Sequence, residues 1–219
     1  EKKYDVLLIL EGTYPFNGGG VSTWSHMLCN DVNNANFSLY SINANFELKP
    51  KYELGENVKN VIQVPLWSPL EPQEMVDYGK KFYKIVRTKE RSDDKDLVEK
   101  FIPTFRKLIK SIYSDTRVAS DFDAIMYSMW QYFQTHDYKK TMLHEQVWKT
   151  FCSLVKEIIS KDNEQATLYD LTLGMRWIYR FLIPISIDVP KVDVSHLTLS
   201  GFPVIPALVL KYKYGTPII

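Results

Sequence analysis

The sequence predicts an α/β protein in which a parallel sheet carries a large helical insertion. Three observations carry this expectation. An apolar run, Tyr4 to Leu10, leads through a glycine-rich turn into a segment with helical spacing. Strand-like and helical segments alternate again after Pro184. Between about residues 71 and 182 glycine nearly vanishes and helical periods dominate. A strand-then-helix order repeated on both sides of an insertion implies parallel strands.

The first strand covers about Tyr4 to Leu10. The helix after the glycine turn runs to about Asn33, with Val21, Trp24, Leu28 and Val32 on its apolar stripe. A second strand is expected at Phe37 to Ile42, where apolar and polar residues alternate, and a third at Val61 to Pro65. Pro50 and Gly55 mark a loop or short hairpin between them. In the insertion, Met75, Tyr78, Phe82 and Ile85 share one face of a helix over Glu74 to Arg87. A charged turn at Arg91 to Asp96 follows. Leu97, Phe101, Phe105, Leu108 and Ile112 form the next face, which Pro103 ends or kinks in its first turn. Helices are also expected at Phe122 to Phe133, Met142 to Ile159 and Leu168 to Leu182. After them come a short strand, Val192 to Leu197, and a helix from Pro203 or Val204 to Tyr214. Gly215 suits its C-terminal turn, and Thr216 to Ile219 begins another strand.

The turn Glu11-Gly12-Thr13-Tyr14-Pro15-Phe16-Asn17-Gly18-Gly19-Gly20-Val21-Ser22 is the chemically informative segment. Unpaired N–H groups at a helix start point outward, and the helix dipole favours negative charge there. Three consecutive glycines leave no Cβ to block a phosphate or a sugar hydroxyl. The turn is neither G-x-G-x-x-G nor a P-loop ending in Gly-Lys-Ser/Thr. A turn that merely needs positive φ angles is the structural alternative.

Composition narrows the classes. The chain has 219 residues, 45% hydrophobic and 24% charged, with 27 basic and 26 acidic side chains. That balance argues against a general nucleic-acid coat. Cys29 and Cys152, both read as buried free thiols in helices, suit a reducing compartment and imply no disulfide framework. No Cys/His spacing suggests zinc. No apolar run has membrane-spanning length, and Glu1-Lys2-Lys3 enters a strand with no signal peptide before it; a cytoplasmic location is expected.

Glu-Gly-Thr-Tyr-Pro at 11–15, Gly19-Gly20-Val21-Ser22 and Trp24 resemble the opening of family-4 glycosyltransferases of the pellicle-exopolysaccharide type. Asp193-Val194-Ser195-His196, Ser200-Gly201 and Lys211-Tyr212-Lys213-Tyr214-Gly215-Thr216-Pro217 resemble a second segment of that family, in the right order. The matches cover the first 35 or so residues and the last 28 or so. The resemblance implies a single Rossmann-like amino-terminal domain over 1–219, the acceptor-side half of a GT-B enzyme. It implies retaining transfer from a nucleotide sugar to a glycan acceptor, with no bound metal or other cofactor. The donor is expected mainly on a carboxy-terminal domain, through a pair of glutamates, and a membrane-complex partner is compatible. Departures are visible too. The family usually has a basic residue where this chain has Gly18, and a small residue then Thr where it has Leu197-Thr198-Leu199. The family's Thr-Glu-His-Gly segment, with the histidine expected nearest the reacting sugar, comes after the last residue here.

The candidate substrate-binding residues are Glu11, Thr13, Gly18, Gly19, Gly20, Val21, His196 and Ser200. In an open parallel sheet ligands sit beyond the carboxyl ends of the strands, which puts both motifs on one cleft. Glu11 could accept hydrogen bonds from sugar hydroxyls, or brace the loop. His196 could bond a hydroxyl or phosphate, or be a satisfied strand-end histidine. Ser200-Gly201 could offer a hydroxyl and an N–H, or cap a helix. His26, His136 and His144 read as surface or structural, and no carboxylate pair is spaced for acid/base work. Two other readings compete: a non-catalytic protein- or glycan-binding module presenting Trp130, Tyr132, Phe133 and Trp148, and a nucleotide-binding enzyme of another class, such as a reductase.

Overall fold

The computed structural model describes residues 3–46, 48–68, 81–91, 94–114, 116, 118–160 and 165–219. In chain order the elements are β1 (Tyr4–Glu11), α1 (Gly20–Asp31), β2 (Ala35–Asn43) and β3 (Val58–Pro65). Then come α2 (Phe82–Arg91), α3 (Ile102–Ile112), α4 (Ala119–Phe133), α5 (Tyr138–Met142), α6 (Glu145–Ile159) and α7 (Leu168–Leu182). β4 (Val194–Leu197) and α8 (Val204–Tyr214) close the order. The chain divides into two compact units, Glu1–Tyr78 with Ile187–Ile219, and Gly79–Ser186.

The first unit is a Rossmann-like α/β unit. Its four strands are all parallel, in the order β3-β2-β1-β4. β1 is the apolar run, and Leu7, Leu8, Ile9 and Leu10 have no exposed surface. A parallel strand covered on both faces reads as a continuous apolar run, which is why this element was visible in the sequence. Val6, Leu8 and Leu10 pack with Phe37, Leu39 and Cys29 in one cluster, placing these side chains on the sheet face that α1 covers. α1 buries Ser22, Ser25 and Cys29. The stripe expected from Val21 to Val32 is corrected in part: Leu28 and Val32 pack against the core, but Trp24 is 44% exposed. Small side chains line the face of α1 that meets the sheet, so the indole stays at the side. β2 departs from half-exposed alternation, because Ser41 and Asn43 are buried along with its apolar residues.

α8 ends at Gly215, whose φ of 69° is left-handed and favours glycine. Beyond it, the Ser195 N–H donates to Pro217 O at 3.0 Å and the Ile219 N–H to Ser195 O at 2.9 Å. The final residues therefore run parallel beside β4, as a strand beginning there should.

The second unit is helical. Phe101 is fully buried, with ring centroids 5.1 Å from Tyr132, 5.5 Å from Phe133 and 5.7 Å from Phe105. Leu97–Phe101 is a π-helical turn leading into α3, and Pro103 sits in the first turn of α3. Proline has no N–H to close the ordinary ladder back to Glu99, so the helix is wound differently just before it. Ile112, expected on the buried face, is exposed. The helix expected from Met142 is broken: Asp137 caps α5, and His144 caps α6 by accepting from the Gln146 N–H at 3.1 Å. Thr167 and Asp170 form a capping box that starts α7. Residues 74–80 of the expected helix, with Met75 and Tyr78, lie outside the described residues, as do Ser92 and Asp93 of the charged turn. In the described part, Phe82 and Ile85 are exposed rather than buried.

Candidate functional site

The carboxyl edge of the sheet begins where β1 ends, at Glu11. Gly12 turns the chain with φ 61°, and its N–H donates to Ile42 O at 2.8 Å. The Phe16 and Asn17 N–H groups both donate to Thr13 O at 2.9 Å, and Asn17 Nδ2 donates to Gly12 O at 2.8 Å. Tyr14 is fully buried, its ring 5.4 Å from Tyr52 and 5.8 Å from His26. The Tyr14–Pro15 peptide bond is cis. The first half of the loop is thus pinned to the core, while Gly18, Gly19 and Gly20 stand exposed.

The three glycines are not equivalent. Gly19 has φ 141° and ψ 172°, a conformation essentially reserved for glycine. Gly18 and Gly20 have no positive φ, and a Cβ on either would meet no atom within 4 Å. The fold itself asks for glycine only at Gly19. The bareness at Gly18 and Gly20 leaves backbone open to something outside the chain.

α1 starts on this bare backbone. Gly19 offers no side-chain cap, and the first turn of α1 has no acidic residue. Thr23 Oγ1 bonds to Gly19 O at 3.1 Å, so it caps none of the leading N–H groups. Those donors and the positive end of the helix dipole are open to an acceptor group. Ser22 Oγ, in the first turn, is buried with no hydrogen-bond partner among the described residues.

His196 enters from β4. Its register partner is Leu8, which puts it on the face that α1 covers. Its ring meets Trp24 edge to face, 5.5 Å between centroids at 70°. Burial holds its pKa below the ordinary 6.5, so it is neutral at pH 7. A neutral imidazole offers one donor and one acceptor, and no hydrogen bond to His196 is present among the described residues. The Thr198 N–H and hydroxyl both donate to Ile9 O, at 3.3 and 3.1 Å, fixing the rim just beyond. Gly20, Val21, Trp24, His196, Leu197 and Thr198 line one groove of about 390 Å³.

The structure thus brings Gly20, Val21 and His196 together. Gly18 and Gly19 lead directly into that lining, while Glu11, Thr13 and Ser200 stand outside it. The Glu11 carboxyl is pushed above its ordinary value by burial. Thr13 Oγ1 is buried without a hydrogen-bond partner among the described residues. Ser200 is exposed, and α8 starts at Pro203 with no side-chain cap, so Ser200 does not cap it. Trp24 and Thr198 belong to the groove but were not among the candidates. Trp24 appeared in the motif, yet helical spacing assigned it to the core; Thr198 was noted only within Leu197-Thr198-Leu199, as a departure from the family pattern. A second polar patch was also missed. Ser41 Oγ donates to Asn43 Oδ1 at 3.1 Å, and Gln63 is the register partner of Ser41. Asn43 Nδ2 and Gln63 Oε1 are buried without hydrogen-bond partners among the described residues. The rows that are apolar at Leu39 and Val61 therefore turn polar at the carboxyl edge, where ligands of parallel sheets sit.

Among the described residues no group of three His, Cys, Asp or Glu side chains could hold a metal ion, and no helix is long and apolar enough to cross a membrane. Cys29 is buried, its thiol pushed up to about 12 by desolvation, whereas Cys152 is only partly buried. The model of the family described as "Domain of unknown function (DUF3492)" matches residues 4–219, and the chain belongs to that family. No curated protein and no solved structure matches it.

Proposed function

We propose that this DUF3492 family member is the acceptor-side domain of a retaining, nucleotide-sugar-dependent glycosyltransferase acting in exopolysaccharide assembly in the cytoplasm. One observation carries the reading: the uncapped start of α1 and a neutral His196 with no hydrogen bond among the described residues share a groove at the carboxyl edge of a parallel sheet. The first supplies N–H donors and positive potential, suited to a phosphoryl oxygen or a hydroxyl. The second supplies a donor and an acceptor to a sugar hydroxyl. Trp24 adds an apolar surface against which a sugar ring can lie, as clefts of this size commonly do. Gly18 to Val21 take part in stabilising the leaving diphosphate or face the acceptor. The nucleotide sugar is held mainly by the carboxy-terminal domain that the resemblance assigns, and no residue here is given a covalent or acid/base role.

The rival binding-module reading needs Trp130, Tyr132, Phe133 and Trp148 exposed as one patch. Tyr132 and Phe133 are buried, each 7% exposed, and the two tryptophans are half-buried. The test of the leading reading is sugar transfer by the full-length protein, with His196→Ala and Trp24→Ala beside it. Loss of transfer in both, with the fold intact, supports the proposal. Transfer by residues 1–219 alone, or full transfer by both variants, overturns it.

A further inference from the structure

Over Phe82–Arg91, α2 buries none of its residues. Phe82 is 78% exposed, Tyr83 58%, and Ile85 and Val86 36% each. At 100° per residue Phe82, Ile85 and Val86 share one face, and Tyr83 widens it. Lys84, Arg87 and Arg91 fall on the opposite side, whereas Lys89 lies within the apolar arc, between Ile85 and Phe82, and Glu90 lies between Val86 and Tyr83. From Lys81 to Arg91 the chain has five cations, Lys81, Lys84, Arg87, Lys89 and Arg91, against Glu90 alone. The pairing recurs next to it. Lys140 Nζ of α5 donates to Lys89 O at 2.9 Å, and α5 carries exposed Lys139 and is followed by Leu143, 63% exposed.

An amphipathic helix takes most of its stability from covering its apolar face. Among the described residues no side chain buries that face. What covers it must accept an aromatic and aliphatic face and, at the same contact, a strongly positive one. An acyl boundary topped by anionic headgroups has both properties, and helices of this composition lie in that plane. We infer that α2 docks the protein on the surface of an anionic membrane, Phe82, Ile85 and Val86 entering the acyl boundary and the basic side chains meeting lipid phosphates. The inference is independent of the glycosyltransferase reading and survives its failure.

The test is vesicle flotation of the 219-residue chain. One vesicle set is phosphatidylcholine alone; the other is phosphatidylcholine with one-third phosphatidylglycerol. Binding is expected only to the anionic set and should fall as salt is raised. Lys84→Glu with Arg87→Glu leaves the apolar face in place, and at least about thirtyfold weaker binding is expected, the equivalent of two surface cations removed. Phe82→Ser with Ile85→Ser should abolish binding at low salt, with circular dichroism checking that the rest of the chain is folded. Lys107→Glu with Lys110→Glu, two exposed cations on α3, should bind as the parent does. Equal binding to neutral vesicles, no binding to either set, or equal loss in the α3 variant overturns the inference.

Discussion

Two histidines set the two units apart. In the helical unit His136 is 7% exposed and fully engaged: Nε2 lies 3.0 Å from Asp96 Oδ2, Nδ1 lies 3.0 Å from Tyr132 O, and its ring stacks on Tyr132 at 4.0 Å. In the sheet unit His196 is half-buried, meets the Trp24 indole edge to face and has no hydrogen-bond partner among the described residues. The first holds the fold together. The second is held in place by the fold and left with its polar atoms open. The helix starts divide less sharply: Asp137, His144 and Thr167 cap α5, α6 and α7, whereas α3 and α4 of the same unit, like α1, have no side-chain cap, and α1 differs in beginning on bare glycine.

That contrast can be broken by substitution. Phe101→Ala should be the largest effect, about 3–5 kcal/mol off the stability of the helical unit, read by urea unfolding or amide exchange in α3 and α4. His136→Ala should cost about 1–3 kcal/mol by the same measurement, because it strands polar partners as well as volume. Gly19→Ala should cost about 1–3 kcal/mol by forcing a side chain into a glycine-only conformation. His196→Ala should stay within about 0.5–1 kcal/mol of the parent, since no hydrogen bond is lost. If His196→Ala destabilises as much as His136→Ala, the distinction between the two histidines fails.

Acid titration sharpens the same comparison. The Asp96 carboxyl is held below the ordinary carboxylate value by hydrogen bonds from Lys100 and then His136. Its contribution is therefore present above the unfolded value near 3.8 and is lost as pH falls through the lower folded value. The His196 pKa is also lowered, in its case by burial of the imidazole, so its neutral form favours folding above 6.5 and that advantage is lost as pH falls through the folded value. NMR titration should give His196 a midpoint below 6.5, and removing Asp96 should leave that midpoint unchanged.

The sheet, its parallel sense and α8 with its Gly215 stop were legible because local signals and tertiary burial agree there. β1 is apolar and buried, and Gly215 adopts the conformation its position suggests. Misreadings came where tertiary context reversed a local pattern. Trp24 looked like core because helical spacing cannot show which neighbours are small enough to approach a sheet. The alternation over Phe37 to Ile42 gave no sign that Ser41 is buried, because alternation cannot distinguish solvent from a buried polar row. Phe82 and Ile85 looked like core, yet their face is open. Of the candidate site, the glycine turn and His196 were visible as motifs, whereas Trp24 and Thr198 became part of it only through the register of β4 beside β1.

The most direct measurement uses Gly18→Ala with Gly20→Ala. Neither position has a left-handed φ or a neighbour that a Cβ would strike. Stability should be unchanged or up to about 1 kcal/mol higher, since alanine narrows the unfolded ensemble. Sugar transfer by the full-length protein should nevertheless fall by at least about tenfold, the cost of losing one well-placed backbone contact. A doubly substituted protein that is equally stable and transfers sugar at the parent rate would contradict a groove that works through bare backbone.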